Sequence, residues 1–186
     1  SGRPHPIAVD LAIRIAQAYQ ARLDSLFVEE PQLVDGARHA FVNEVSISGR
    51  TIRSLETRDV EAILGYEARS ARQFIEARAA AASVPFMLRV TRDESLRALS
   101  VACAECGPWN IIVLGDPFSA HEPQTLVQML GEIADATAIV AVGPKTVRGT
   151  GPILVAVESA DRLDAMLRLA ERLAGHDDDR AAIHVL

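Results

Sequence analysis

Two stretches near opposite ends of the chain read alike, and that internal repeat limits the fold more than anything else in the sequence. Asp10-Leu11-Ala12-Ile13-Arg14-Ile15-Ala16-Gln17-Ala18 reads like Asp164-Ala165-Met166-Leu167-Arg168-Leu169-Ala170-Glu171-Arg172. Each stretch leads into a short apolar strand, Ser25-Leu26-Phe27-Val28 in the first case and Ala182-Ile183-His184-Val185 in the second. A helix-strand unit thus occurs twice, roughly 155 residues apart. Before the second helix stands a strong strand, Ile153-Leu154-Val155-Ala156-Val157. Before the first stands Ser1-Gly2-Arg3-Pro4-His5-Pro6, which cannot be a buried strand because its prolines lack ladder donors. The expectation is a first repeat that starts one strand late and a second that stops early.

Between these ends, apolar runs alternate with helical patterns. Ile7, Leu11, Ile15, Ala18 and Tyr19 share one face of a helix over 7–22. Residues 31–54 lose periodicity around Pro31, Gly36 and Gly49 and read as a long loop with at most a short helical turn. Leu55, Val60, Ile63, Leu64, Ala71, Phe74 and Ile75 form the stripe of a helix over 55–82, followed by a strand over 84–90. A helix runs from Asp93, its expected N-cap, to Cys106, where Gly107-Pro108 stops it. Asn110-Ile111-Ile112-Val113-Leu114-Gly115 is a continuous apolar strand of the kind buried on both faces. A loop over 116–123, a helix over 124–135 and a strand over 138–142 complete the first unit.

Strands that alternate with helices of this length predict an α/β fold with an open, doubly wound parallel sheet of about five strands and helices on both faces. The expected division is a domain over 1–143, a Gly/Pro linker over 144–151 and a strand-helix-strand start of a second repeat over 152–186. Net charge is −6, with basic residues scattered along helices, so neither nucleic acid nor an anionic membrane is an expected partner. No apolar run approaches the ~20 residues of a membrane span, and no leader pattern opens the chain, so a cytoplasmic protein is expected.

Four constellations bear on chemistry. Cys103-Ala104-Glu105-Cys106 has redox spacing, but it ends a helix, where the dipole disfavours a thiolate; two small residues on a partly buried turn is the expected role. His5, His39, His121, His176 and His184 include no helix-face pair for a metal, and no metal site is expected. His121 lies on the loop after Gly115, at the edge where open parallel sheets bind ligands. That loop, Gly115 to Pro123, has the topology of a phosphate cradle without its chemistry: Pro117 and Pro123 carry no N–H, and Asp116 and Glu122 repel anions. Glu158, after the strand over 153–157, can bind a ribose or a base amine; Ser159 or Asp161 beside it can cap the next helix.

The elements from Asp10 to Val142, with a second repeat opening at Gly151-Pro152-Ile153-Leu154-Val155-Ala156-Val157-Glu158-Ser159, resemble the universal stress protein family in its tandem-repeat form. That resemblance implies a five-stranded Rossmann-like domain of the adenine nucleotide alpha hydrolase-like type. It also implies a regulatory binding protein of the stress response, without catalysis. Some members of the family bind ATP through an acid closing the first strand, then Gly-x-x-Gly, nine residues and Gly-Ser or Gly-Thr. Here Glu158 is the first-strand acid, Gly115 matches the first glycine, Phe118 replaces the second, and Gly131 comes three residues late, before Glu132. The implied ligand is an ATP- or AMP-like nucleotide held chiefly by its adenosine, or none. Its expected contacts are Val28, Gly115, Asp116, Ser119, His121, Gly131, Val157, Glu158 and Ser159.

Two other functions compete with this one. A nucleotide-acting hydrolase would use His121 and Glu158 as acid and base, yet neither a pyrophosphatase loop nor a His-x-Gly-His signature is present. A structural module would dock a protein partner through the loop 31–54 and keep a vestigial pocket. The late start of the first repeat adds a structural expectation. Strand 153–157 should fill the missing central position, in its own chain or by exchange within a homodimer, and so bring Glu158 beside Gly115.

Overall fold

The computed structural model describes residues 4–38, 43–45, 52–54, 56–107, 110–115, 131, 133, 136–143, 145–149, 151, 153–155, 160–174 and 183–185. Helix α1 (Pro6–Tyr19) leads to strand β1 (Leu23–Val28) and a short helix α2 (Pro31–Gly36). Strands β2 (Asn43–Val45) and β3 (Ile52–Ser54) precede helix α3 (Thr57–Ala81), strand β4 (Phe86–Thr91) and helix α4 (Ser95–Cys106). Then come β5 (Asn110–Gly115), β6 (Ala136–Val142), β7 (Ile153–Val155), helix α5 (Ala160–Ala174) and β8 (Ile183–Val185).

The chain is α/β, built from small sheets. β1 runs parallel to β4, with Leu23 opposite Phe86 and Val28 opposite Thr91. β5 runs parallel to β6 with a register shift after Asn110, and β7 runs parallel to β8. β2 and β3 are antiparallel. These four pairs are the sheets among the described residues. The antiparallel pair corrects the expectation of a long loop over 31–54, while the short helical turn allowed there is α2. Three residues per strand are too few for a period-2 pattern to show in sequence.

Strand alternation sends the two faces of the β1–β4 pair to different helices. Leu23 packs with Val9, Ile13, Ile75 and Ala79, and Phe27 packs with Ala68 and Ala71, so α1 and α3 cover this face. Asp24 points to the other face, where Arg89 links it to Glu105 and Cys106 of α4. α4 also packs on β5 through Cys103 against Ile112, with Ile133 in the same cluster. α4 therefore serves two of the strand pairs, as does α1, which touches both β1 and β5.

α1 starts with Pro6 at its first position, where the missing N–H costs no helical bond and φ is preset. Its buried residues are Ala8, Val9, Ile13, Ile15 and Ala16, a wider band than one amphipathic stripe. Two contacts explain the width. Val9, Ile13 and Ala16 join the core with α3, while the helix also touches β5, β6 and α5. Tyr19, expected on the buried face, is exposed, with Arg172 stacked on its ring at 4.9 Å.

α3 buries Leu64, Ala68, Ala71, Ile75 and Ala79. Ile63, expected in the stripe, is 52% exposed, because the contact line runs at three-to-four spacing through Leu64, Ala68, Ala71, Ile75 and Ala79 instead. α1 and α3 end alike. Ala21 N–H donates to Ala16 O at 2.8 Å around left-handed Gln20, and Val84 N–H donates to Ala79 O at 2.8 Å around left-handed Ser83. α4 ends on Gly107, whose φ of 83° favours glycine, as expected.

Residues 153–155 pair with 183–185, so within this chain the described part of the expected substitute strand has β8 as its ladder partner. No ladder joins β7 to β1 or β5 among the described residues. The expected linker is anchored: Gly149 accepts a 2.6 Å hydrogen bond from Arg14 and lies against Ile7. Among the described residues, no helix is long and apolar enough to cross a membrane.

Candidate functional site

Parallel strands bring their carboxyl ends to one edge, where helix starts and loops gather. Val28 ends β1 there, half-buried and paired with Thr91. Gly115 ends β5, exposed and paired with Val142. Each therefore stands at the carboxyl end of its own strand pair, and no ladder joins the two pairs among the described residues. Gly131, the third expected residue within the described set, is helical and exposed and has nothing within 4 Å among the described residues. Asp116, Ser119, His121, Val157, Glu158 and Ser159 lie outside the described residues.

Gly115 has a contact that its motif position did not reveal. A Cβ added there would stand 2.7 Å from His5 Cβ and 3.2 Å from Ala8 Cβ. Two Cβ atoms cannot approach that closely, so the start of α1 rests directly on the backbone at the end of β5. His5 occupies the N-cap position without a side-chain cap bond, and its Nδ1 is buried with no partner among the described residues. The histidine count gave His5 no role. The sequence signal that could have found it was its place before Pro6, at the entry to a helix.

The acids near Val28 are already engaged. Arg92 donates to Glu29 Oε2 through Nε at 3.1 Å and Nη2 at 3.0 Å, and its Nη1 lies 3.5 Å from Glu61. Hydrogen bonding to Glu29 raises the Arg92 pKa above its ordinary value. Ser95 Oγ donates to Glu30 at 2.9 Å. These bonds tie the end of β1 to β4, α3 and α4. They also leave the Arg92 guanidinium paired with two carboxylates.

A second polar cluster sits at the opposite, amino-terminal edge. Arg22 grips Asp24 with both nitrogens, at 2.5 Å and 2.7 Å, and Arg89 Nη2 lies 3.4 Å from the same carboxylate. Arg89 also donates to Glu105 at 2.5 Å and to Cys106 Sγ at 3.2 Å. Partial burial pushes the Asp24 carboxyl up, but the Arg22 and Arg89 guanidiniums outweigh it and hold the group below its ordinary value. Every charge has an opposite neighbour, so the cluster works as a clamp joining β1, β4 and α4. The two cysteines have separate surroundings: Cys103 is in the core, Cys106 is exposed, and no disulfide joins them.

Among the described residues, no three His, Cys, Asp or Glu side chains gather in a metal-holding group. No protein-family model matches the chain, and no curated protein matches it.

Proposed function

We propose that the chain is a universal-stress-type regulatory binding protein that takes an adenine-nucleotide-like ligand at the carboxyl edge marked by Val28 and Gly115. It performs no chemistry of its own, acts in the cytoplasm and contributes to a doubly wound sheet of about five strands. Loop and strand-end residues Asp116, Ser119, His121, Val157, Glu158 and Ser159 are assigned to the same pocket, with Gly131 at its rim. The carrying observation is the seating of His5 and Ala8 against Gly115 at the end of a parallel strand. A helix start at the carboxyl end of a parallel strand is the setting in which open parallel sheets bind nucleotides.

Two features support adenosine over phosphate as the recognised part of the ligand. Arg92 is committed to Glu29 and Glu61, and the loop after Gly115 carries Phe118 and two prolines in place of glycines. Calorimetric titration with adenosine, AMP and ATP tests the reading. Affinities within about threefold of one another, a spread of under ~1 kcal/mol, are expected. Absence of heat with all three at millimolar concentration overturns it.

One observation favours a second reading, a partner-docking module. Leu33 on α2 and Ile63 and Tyr66 on α3 are exposed apolar side chains, and α2 packs on α3. In that case the segment 31–54 binds a protein and the carboxyl edge stays empty. Alanine at these three positions would then abolish partner capture and leave nucleotide titrations flat.

A further inference from the structure

Cys103 and Cys106 share the last turn of α4 but face different surroundings. Cys103 is 5% exposed and packs on Ile112 of β5 together with Ile133. Cys106 is exposed, and its Sγ accepts a hydrogen bond from Arg89 Nη2 at 3.2 Å. Two carboxylates stand nearby, each already held by a guanidinium. Asp24 Oδ2 lies 4.0 Å from the sulfur and is gripped by Arg22, while Glu105 is bonded by Arg89 itself. Cysteines that react with peroxides do so as thiolates, in exposed sites beside a cation, and often with a second cysteine close enough to close a disulfide.

The helix brings that second cysteine within reach. Residues three apart in an α-helix have Cα atoms about 5 Å apart, inside the ~4.4–6.8 Å span of disulfides. Their Cβ atoms stand about 5–6 Å apart, whereas a disulfide needs about 3.8 Å, so the last turn must open for the bond to close. β5 holds that turn at two points. The Cys103 side chain packs on Ile112, and Asn110 Nδ2 donates to the carbonyl oxygens of Cys103, at 3.0 Å, and of Gly107. Closing the disulfide draws Cys103 off Ile112, turns away the carbonyl that Asn110 holds and takes Cys106 from Arg89.

We propose that Cys103 and Cys106 are a peroxide-responsive thiol pair whose disulfide releases the end of α4 from β5. In the first step the Cys106 thiolate attacks an oxygen of hydrogen peroxide. An S–O bond forms, the O–O bond breaks, and the departing hydroxide takes up a proton and leaves as water. The sulfur is oxidised by two electrons to a sulfenic acid, and the peroxide is reduced by the same two. The Cys103 sulfur then attacks the Cys106 sulfur. The S–S bond forms, the S–O bond breaks, and the hydroxide leaves as a second water with the proton that Cys103 gives up. A dithiol reductant reverses the change by thiol–disulfide exchange. The proposal stands on the packing of α4 and is independent of any ligand at Gly115.

The test exposes the reduced full chain to hydrogen peroxide, then counts thiols by maleimide labelling in denaturant and follows the backbone by amide hydrogen exchange. Wild type should lose both thiols without gaining oxygen and recover them with dithiothreitol. Cys103→Ser should stop at a sulfenic acid on Cys106, which dimedone traps. Cys106→Ser, a change at an exposed position that keeps the test open should Cys103→Ser fail to fold, should retain its Cys103 thiol at the same peroxide dose. In the disulfide form, amides over 110–115 should exchange faster by about tenfold or more, while those of α1 and α3 stay as they were. Retention of both thiols in the wild type, loss of the thiol in Cys106→Ser, or a sulfinic acid on Cys106 beside an unchanged Cys103 thiol overturns the proposal. So does a disulfide between two chains, or one within the chain that leaves exchange over 110–115 unaltered.

Discussion

Arg14 donates to the main-chain oxygen of Leu173 at 3.0 Å, so the first helix of the chain supports the last turn of the helix that repeats its sequence. A second nitrogen of the same guanidinium reaches Gly149 O at 2.6 Å. Carbonyls in a final helical turn lack intrahelical donors, and a cation is the most favourable group to supply them.

The repeat makes a controlled comparison available. Arg168 occupies the position of Arg14 in α5 but is exposed. Arg14→Ala should cost about 1–2 kcal/mol in a urea melt. Arg168→Ala should change stability by less than about 0.5 kcal/mol. Equal effects would show that the Arg14 bonds do not hold the two helices together.

Gly115 and Gly131 form a second such pair. Gly115→Ala places a Cβ 2.7 Å from His5 Cβ and forces the start of α1 away from β5. Overpacking of this kind costs about 1–3 kcal/mol. Gly131 is helical with open space around it among the described residues, so Gly131→Ala should be neutral or stabilising by up to about 1 kcal/mol. Thermal melts of both variants decide the matter, and a harmless Gly115→Ala would refute the close approach.

Asp24 gives the fold an acid-side dependence. Its folded pKa lies below the unfolded value because Arg22 and Arg89 outweigh the effect of burial. Its contribution is therefore present above the unfolded pKa and lost as pH falls through the folded one. Stability measured from pH 5 down to pH 2 should fall less steeply in Asp24→Asn than in wild type. The difference should stay under about 1 kcal/mol, since the clamp is partly solvated.

The cysteines should react at very different rates. Cys106 is exposed beside Arg89, whereas Cys103 packs on Ile112 and Ile133 at 5% exposure. A maleimide added to the native protein should label one site, Cys106, and a second only in denaturant. Mass spectrometry of the labelled peptides reads this directly, and native labelling of Cys103 would contradict the packing of α4 on β5.

Where the sequence was read correctly, one strong local signal acted alone. β5 was read over 110–115 because a continuous apolar run bounded by Gly107-Pro108 and Gly115 has few other solutions. The end of α4 followed from Gly107. What stayed hidden depended on distant partners or on weak local signals. The two faces of α1 could not be told from one, since Ala8 and Val9 look alike in sequence but meet different elements. The α3 contact line ran through alanines, whose small size lets helices approach but carries little hydrophobic signal, and so Ile63 was misplaced. Gln20 and Ser83 end their helices in a left-handed conformation usually marked by glycine. Of the site, the strand ends Val28 and Gly115 were legible from order alone. The seat of His5 on Gly115 was not, because it joins residues more than a hundred positions apart.

The most direct test of the adenosine site is native mass spectrometry of the purified protein, before and after incubation with adenosine, with Gly115→Val measured alongside. The wild-type chain should carry one adenosine-sized adduct per 20.0 kDa subunit, and Gly115→Val should lose it while keeping its helical signal. A wild-type protein that retains no adduct at millimolar adenosine, or a Gly115→Val protein that binds as well as wild type, would contradict a ligand site at the end of β5.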